Sequence, residues 1–238
     1  MTTSPSRLAA GAAALGLALD DAQLALLSRY ATLLVEGARA FNLTTITEPE
    51  QIEERHFLDS LSVTRALPAG AITVLDVGSG AGFPGIPLKI ARPNLDLTLL
   101  DATGKKVAWL TTTVRELGLQ GIVTVAERAE TLAHDPSHRG RYDVSVARAV
   151  APLAALCELC LPFIRPGGVF VAPKSQARAM EELPAAARSL DLLGGRVVDV
   201  LSAGLDSMPN RVLVLIEKVG DTAAAYPRRP GMPTKRPL

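Results

Sequence analysis

Residues able to do chemistry gather at the ends of apolar runs in this 238-residue chain. Asp76-Val77-Gly78-Ser79-Gly80-Ala81-Gly82 directly follows the apolar run 72–77 and precedes a helical pattern over 86–91. Alternating glycines at such a turn reach positive φ without steric cost and let a ligand approach the backbone. Asp76 is read either as a turn-stabilising carboxylate or as a group that meets an amine through water. Asp101 ends the next apolar run, where its carboxylate can accept hydrogen bonds from both hydroxyls of a ribose, or cap the following helix. Glu127-Arg128-Ala129-Glu130 follows a third run and is read either as a backbone-and-carboxylate site for a purine ring or as an exposed charged turn.

The spacing separates cofactor classes. Pyrophosphate-binding loops read G-x-G-x-x-G, whereas this loop reads D-x-G-x-G-x-G followed by Phe83-Pro84-Gly85. It resembles motif I of S-adenosyl-L-methionine-dependent methyltransferases. In many of these the catalytic element follows the fourth strand, here Val146-Ala147-Arg148-Ala149-Val150-Ala151-Pro152. That segment holds neither the Asn/Asp-Pro-Pro-aromatic tetrapeptide of amino-methylating enzymes nor the nucleophilic Cys of C5-pyrimidine enzymes. Cys157 and Cys160 lie further on, in an apolar run, and read as buried thiols. Guanine N7 needs neither device, because its lone pair is free at neutral pH. Catalysis then rests on positioning, with no general base and no metal. Arg148 is assigned to holding cofactor or a phosphate, a structural ion pair being the alternative.

Further candidates are scattered. Asn42, in Phe41-Asn42-Leu43-Thr44, and His56, on a helical stretch, are candidates for substrate contact, although a lone helical His also serves structure. Lys174 follows the fifth strand and is read as a phosphate contact or a solvated Lys. Arg228 and Arg229 head a basic, Pro-rich tail without acidic residues, able to meet phosphate or to stay solvated.

These residues need a scaffold. Asp20 and Gln23 have capping-box spacing ahead of an amphipathic helix with apolar positions at Leu24, Leu27, Ala31, Leu34, Val35, Ala38 and Phe41. A second helical stretch covers 49–66 and breaks at Leu67-Pro68-Ala69-Gly70. Strands are expected at 72–77, 95–100, 122–126, 142–147 and 168–172, with helices between most of them. A helix at 176–193 and two strands at 196–201 and 211–218 follow, the strands pairing antiparallel. The expected fold is α/β: a Rossmann-like, class I methyltransferase sheet of seven mostly parallel strands ending in an antiparallel hairpin. Residues 1–70 form a helical extension, 71–220 the cofactor-binding domain and 221–238 the basic tail.

With 48% hydrophobic and 21% charged residues and a net charge of +1, the chain is neither disordered nor polybasic. The apolar stretch 8–19 has the length of a signal-peptide core but lacks an Ala-x-Ala site and continues into a helical pattern, so a cytoplasmic protein is expected. No segment has the length of a membrane span.

Several motifs then coincide in order: Phe41-Asn42-Leu43-Thr44, Arg55-His56-Phe57-Leu58-Asp59-Ser60-Leu61, the run from Leu75 through Gly85-Ile86-Pro87-Leu88, Arg128-Ala129-Glu130, Ala147-Arg148-Ala149, Lys174, and Tyr226-Pro227-Arg228-Arg229-Pro230-Gly231-Met232-Pro233. Over nearly its full length the chain resembles the ribosomal small-subunit RNA methyltransferase G family, also called glucose-inhibited division protein B. Where that family often has Trp-Asn upstream of Asn-Leu-Thr, this chain has Gly37-Ala38. The resemblance implies transfer of methyl from S-adenosyl-L-methionine to N7 of a guanine in the 530 loop of 16S ribosomal RNA. The implied partner is that RNA, a 30S subunit or an assembly intermediate, met by a monomer. Gly78, Phe83, Ala129, Glu130 and Arg148 fall at its cofactor positions and Asp101 matches its acidic strand end, while Gly80 joins them as a cofactor-binding candidate from the turn itself. Open beside this reading stand a small-molecule methyltransferase, a non-catalytic nucleotide-binding module and an NAD oxidoreductase.

Overall fold

The computed structural model describes residues 6–41, 43–70 and 72–238, with backbone alone at 39 and 40. Seven strands form one sheet in the order β3-β2-β1-β4-β5-β7-β6: β1 (Thr73–Val77), β2 (Asp96–Asp101), β3 (Ile122–Ala126), β4 (Tyr142–Val146), β5 (Ile164–Ser175), β6 (Gly195–Ser202) and β7 (Arg211–Lys218). All neighbours run parallel except β7, which is antiparallel to both β5 and β6. The hairpin strand is therefore inserted between β5 and β6.

Successive strand residues face opposite cores. Val74, Leu97, Val144 and Leu213 join one apolar cluster, while Leu75, Val77, Leu100 and Val214 join the other. The first core is covered by α1 (Arg7–Ala14), α2 (Asp21–Phe41), α3 (residues 49–66), α4 (Gly85–Ala91) and α5 (Gly104–Glu116). Leu8, Ala12 and Leu15 belong to it, so the apolar N-terminal stretch is packed into the fold. The second core is covered by α6 (Ala129–Leu132), α7 (Leu153–Cys160) and α8 (Gln176–Leu193), with α9 (Met232–Lys235) resting against α7.

The expected capping box closes α2: Gln23 N–H donates to Asp20 Oδ1 at 2.7 Å, and Asp20 N–H donates to Gln23 Oε1 at 3.0 Å. Leu27, Leu34 and Ala38 are buried as the periodicity requires, but Phe41 at the end of α2 is exposed. Gly37 has a steric role, since a Cβ there would lie 2.3 Å from Nε1 of Trp109, the only Trp in the chain. The indole fills the space that a larger residue at 37 would need. β5 is longer than its apolar run: buried Ile164 already pairs with Tyr142 of β4, and the exposed residues 165–167 form an irregularity before pairing resumes at Val169. Among the described residues no helix is long and apolar enough to cross a membrane.

Candidate active site

At the carboxyl ends of β1 and β4 a cleft of about 680 Å³ opens between the glycine turn and α3. The turn is fixed on both sides. Gly78 and Ser79 donate their N–H groups to the Leu100 carbonyl at 2.8 and 2.9 Å, and Gly80 N–H donates to Asp101 Oδ2 at 2.9 Å. Gly78 has φ +74°, and a Cβ added to it would lie 2.7 Å from Cγ2 of Val150. Only glycine accommodates both the backbone and the loop folded over it. Behind the turn, the buried hydroxyl of Tyr30 donates to the Ala81 carbonyl, and Tyr30 packs among Phe57, Phe83 and Trp109. A chain with few aromatic residues concentrates them behind this loop.

Asp76 lies fully buried under the turn, with Oδ2 accepting from Gly85 N–H at 2.9 Å and Oδ1 without a hydrogen-bond partner among the described residues. Burial pushes its carboxyl up to about 7. Asp101 accepts at both oxygens, from Gly80 N–H and from Thr103 N–H at 2.8 Å, and faces the cleft. It also faces a second cavity of about 160 Å³, lined by Gly78, Glu127, Ala129, Glu130 and Val150. Val150 stands between the two cavities. A glycine cradle closed to a Cβ at Gly78, with a strand-end carboxylate beside it, fits an adenosyl amino acid laid across the turn.

α3 supplies the opposite wall through a change of pitch. Residues Glu53–Leu58 take a π-helical turn, a feature that often re-aims side chains at functional sites, and the helix continues as α over Asp59–Ser62. His56 and Asp59 are thereby set into the cleft. Asp59 is the hub. Arg148 Nη1 donates to Oδ2 at 2.8 Å, and Arg211, the first residue of β7, reaches Oδ1 through Nε at 2.6 Å and Oδ2 through Nη2 at 2.9 Å. One carboxylate between two guanidiniums leaves the trio with one excess positive charge.

His56 stacks on Phe83 with ring centroids 4.4 Å apart and planes 12° from parallel, and the Arg148 guanidinium lies 5.0 Å above the centre of the same Phe83 ring. Arg148 Nη2 approaches His56 Nδ1 at 3.3 Å, and His56 Nε2 lies 2.9 Å from Thr44 Oγ1. A guanidinium only donates, so Nδ1 accepts, and Nε2 carries the proton and donates to Thr44. Burial and the neighbouring Arg148 push His56 down to about 4, so it is neutral at physiological pH.

Gly78, Gly80, Phe83, Asp101 and Arg148 thus meet at one cleft together with His56, while Ala129 and Glu130 line the adjoining cavity. Lys174 and Arg228 do not join them. Lys174 is buried and donates to Glu182 Oε2 at 2.6 Å and to the Ala151 carbonyl at 3.1 Å, bracing the loop after β4. Arg228 forks onto Glu158 of α7, whose carboxylate is fully buried, through Nε at 2.9 Å and Nη2 at 2.6 Å. Both expected phosphate contacts are instead committed to internal carboxylates. Arg229 is exposed, with no ion pair among the described residues, and Asn42 lies outside them. Cys157 and Cys160 are buried free thiols, Cys157 pushed up to about 12 by burial.

Sequence reasoning missed Asp59 and Arg211 as site residues. A signal existed in Asp59, a charge three positions after His56 on a face otherwise built of Phe57, Leu58 and Leu61. Arg211 gave none, being one Arg at the start of an apolar strand.

Comparisons with known proteins agree with this geometry. The family model described as GidB, rRNA small subunit methyltransferase G, matches residues 23–210. Ribosomal RNA small subunit methyltransferase G of Roseiflexus sp. (strain RS-1) is 45% identical over 95% of this chain and 97% of its own length. The protein of the same name from Dehalococcoides mccartyi (strain CBDB1) is 44% identical over 98% and 99%. Among solved structures, a SAM-dependent methyltransferase from Aquifex aeolicus shares the fold with TM-score 0.55 and 18% identity, over 72% of this chain and 94% of that one. The ribosomal protein L11 methylase of Lactobacillus delbrueckii subsp. bulgaricus shares it with TM-score 0.51 and 18% identity, over 74% and 81%. The chain therefore belongs to the rRNA small subunit methyltransferase G family and is a methyltransferase whose cofactor is S-adenosyl-L-methionine.

Proposed function

We propose that this enzyme methylates N7 of a guanine in the 530 loop of 16S ribosomal RNA, the guanine-527 position of the family. The observation that carries the reading is that the carboxylate and the imidazole on the α3 wall are already committed. Asp59 holds two guanidiniums, and His56 is neutral with both ring nitrogens engaged. None of them is placed to withdraw a proton. S-adenosyl-L-methionine supplies an electrophilic methyl group. Guanine N7 carries a lone pair at neutral pH and attacks without losing a proton, whereas an exocyclic amine has to shed one. Positioning then dominates the rate.

The residues divide that work. The Gly78 and Gly80 backbone admits the cofactor, Asp101 receives its ribose, and Ala129 with Glu130 receives its adenine. Asp76, buried beneath the turn, keeps the turn in shape by accepting from Gly85 N–H. Phe83, held flat by His56 and Arg148, is a rigid wall for the incoming base. Arg55 and Lys106 line the cleft and meet RNA phosphates, with Arg229 and Asn42 as outlying contacts, so RNA affinity falls as salt rises. The protein acts in the cytoplasm as a monomer on RNA, the 30S subunit or an assembly intermediate.

Primer extension on 16S RNA from cells with and without the gene, after borohydride reduction and aniline scission at 7-methylguanine, tests this. The reading expects 7-methylguanine in the 530 loop only when the gene is present. Persistence of the modification in the deletion strain would overturn it and leave a small-molecule substrate for the cleft.

A further inference from the structure

The chain after β7 turns back along the molecule and is fastened at several points beyond residue 210, where the family match ends. Arg139 of the loop before β4 donates through Nη1 to the Tyr226 carbonyl at 2.9 Å and through Nη2 to the Thr222 carbonyl at 2.8 Å. Arg228 is latched to buried Glu158 by its backbone N–H as well as its side chain. Those fasteners deliver Gly231 N–H to Glu130 Oε1 at 2.7 Å. Gly231 and Thr234 then line the second cavity opposite Asp101, Ala129 and Glu130.

We infer that residues 226–235 complete the adenine subsite, and that the Gly231 amide orients the Glu130 carboxylate so that Oε2 accepts the exocyclic amine of adenine. Glu130 is buried, and among the described residues Oε2 accepts no hydrogen bond whereas Oε1 does. Oε2 is thus the carboxylate oxygen left accessible to a donor in the cavity. The adenine amine is a donor of the right kind. A 6-oxo purine presents an acceptor there and would be repelled, so the tail acts through Glu130 as a positioning element for cofactor specificity. The inference rests on the adenine placement proposed above.

Calorimetry on the full chain with S-adenosylhomocysteine and S-inosylhomocysteine tests it. Thr234 is exposed, so Thr234→Trp places an indole in the cavity without disturbing the core. It is expected to weaken S-adenosylhomocysteine at least tenfold with an unchanged melting temperature. Glu130→Gln and Gly231→Ala are expected to cut the preference for the adenine over the 6-oxo ligand at least tenfold, which a merely structural tail would not do. If Asp101→Ala weakens binding while Thr234→Trp and Gly231→Ala bind both ligands as the parent does, the tail is not part of the subsite and the inference is wrong. If Asp101→Ala and Glu130→Gln also bind both ligands normally, the adenine placement fails and takes this inference with it.

Discussion

Asp59 and Arg211 stand 152 residues apart in the chain and meet in a two-point ion pair at 2.6 and 2.9 Å, joining the N-terminal helix α3 to the hairpin strand β7 across the mouth of the cleft. Arg148 completes the arrangement from the end of β4. Asp59→Ala would leave two poorly solvated guanidiniums facing each other, and removing one partner of such a pair costs about 3 kcal/mol. Urea unfolding should show a loss of that order. Asp59→Asn, which keeps one acceptor, should lose less.

Gly78 and Val150 should be coupled through the cofactor. Gly78→Ala places a Cβ at φ +74° and 2.7 Å from Val150 Cγ2. The left-handed backbone alone costs about 1–2 kcal/mol for a non-glycine residue. Calorimetry is expected to give at least tenfold weaker S-adenosylhomocysteine binding for Gly78→Ala. Val150→Ala in the same chain should recover part of it, by removing the clash but not the backbone strain. Full additivity of the two substitutions would contradict the contact.

The strands and helices were legible because their signals are local. β1 is apolar on both faces, as an interior parallel strand must be, and Asp20 with Gln23 marks the start of α2 within four residues. The glycine turn and the strand-end residues beside it were legible for the same reason, since their signals lie within short stretches of chain. The opposite wall was not. His56 and Asp59 are aimed by a π-helical turn that has no simple residue signature, and the partners of Asp59 come from the ends of two distant strands. Lys174 and Arg228 read as phosphate contacts because the carboxylates that take them, Glu182 and Glu158, sit on other elements. Glu158 did leave a trace, as the one charge within Leu156-Cys157-Glu158-Leu159-Cys160.

Two buried groups should give opposite pH signatures. His56 is pushed down from 6.5 to about 4, so the unfolded chain binds the extra proton between those values. Its contribution to stability is complete above about 6.5 and is lost as pH falls toward 4. Asp76 is pushed up from 3.8 to about 7, so the folded chain holds the proton, and that contribution is lost as pH rises through about 7. The stability of the parent relative to His56→Gln should therefore increase from pH 4 to 6.5, and that relative to Asp76→Asn should decrease from pH 4 to 7. Chemical denaturation at a series of pH values reads both, and parallel profiles would refute the assignment.

Tyr30 should couple the N-terminal helix to the glycine turn. Tyr30→Phe strands the buried Ala81 carbonyl, at a cost of about 1–3 kcal/mol. Trp109 packs against Tyr30 and is the only Trp, so its emission follows unfolding and cofactor titration at this spot. The variant is expected to unfold earlier and to bind S-adenosylhomocysteine several-fold more weakly.

The central claim is that the cleft methylates a nitrogen that needs no deprotonation. Its most direct test is single-turnover methyl transfer from isotopically labelled S-adenosyl-L-methionine to 30S particles from cells lacking the gene, with nucleosides identified by mass spectrometry across pH 6.5 to 9. The label should appear as 7-methylguanosine from the 530 loop, at a rate nearly independent of pH. Label on an exocyclic amine or a ring carbon, or a rate rising about tenfold per pH unit, would contradict it.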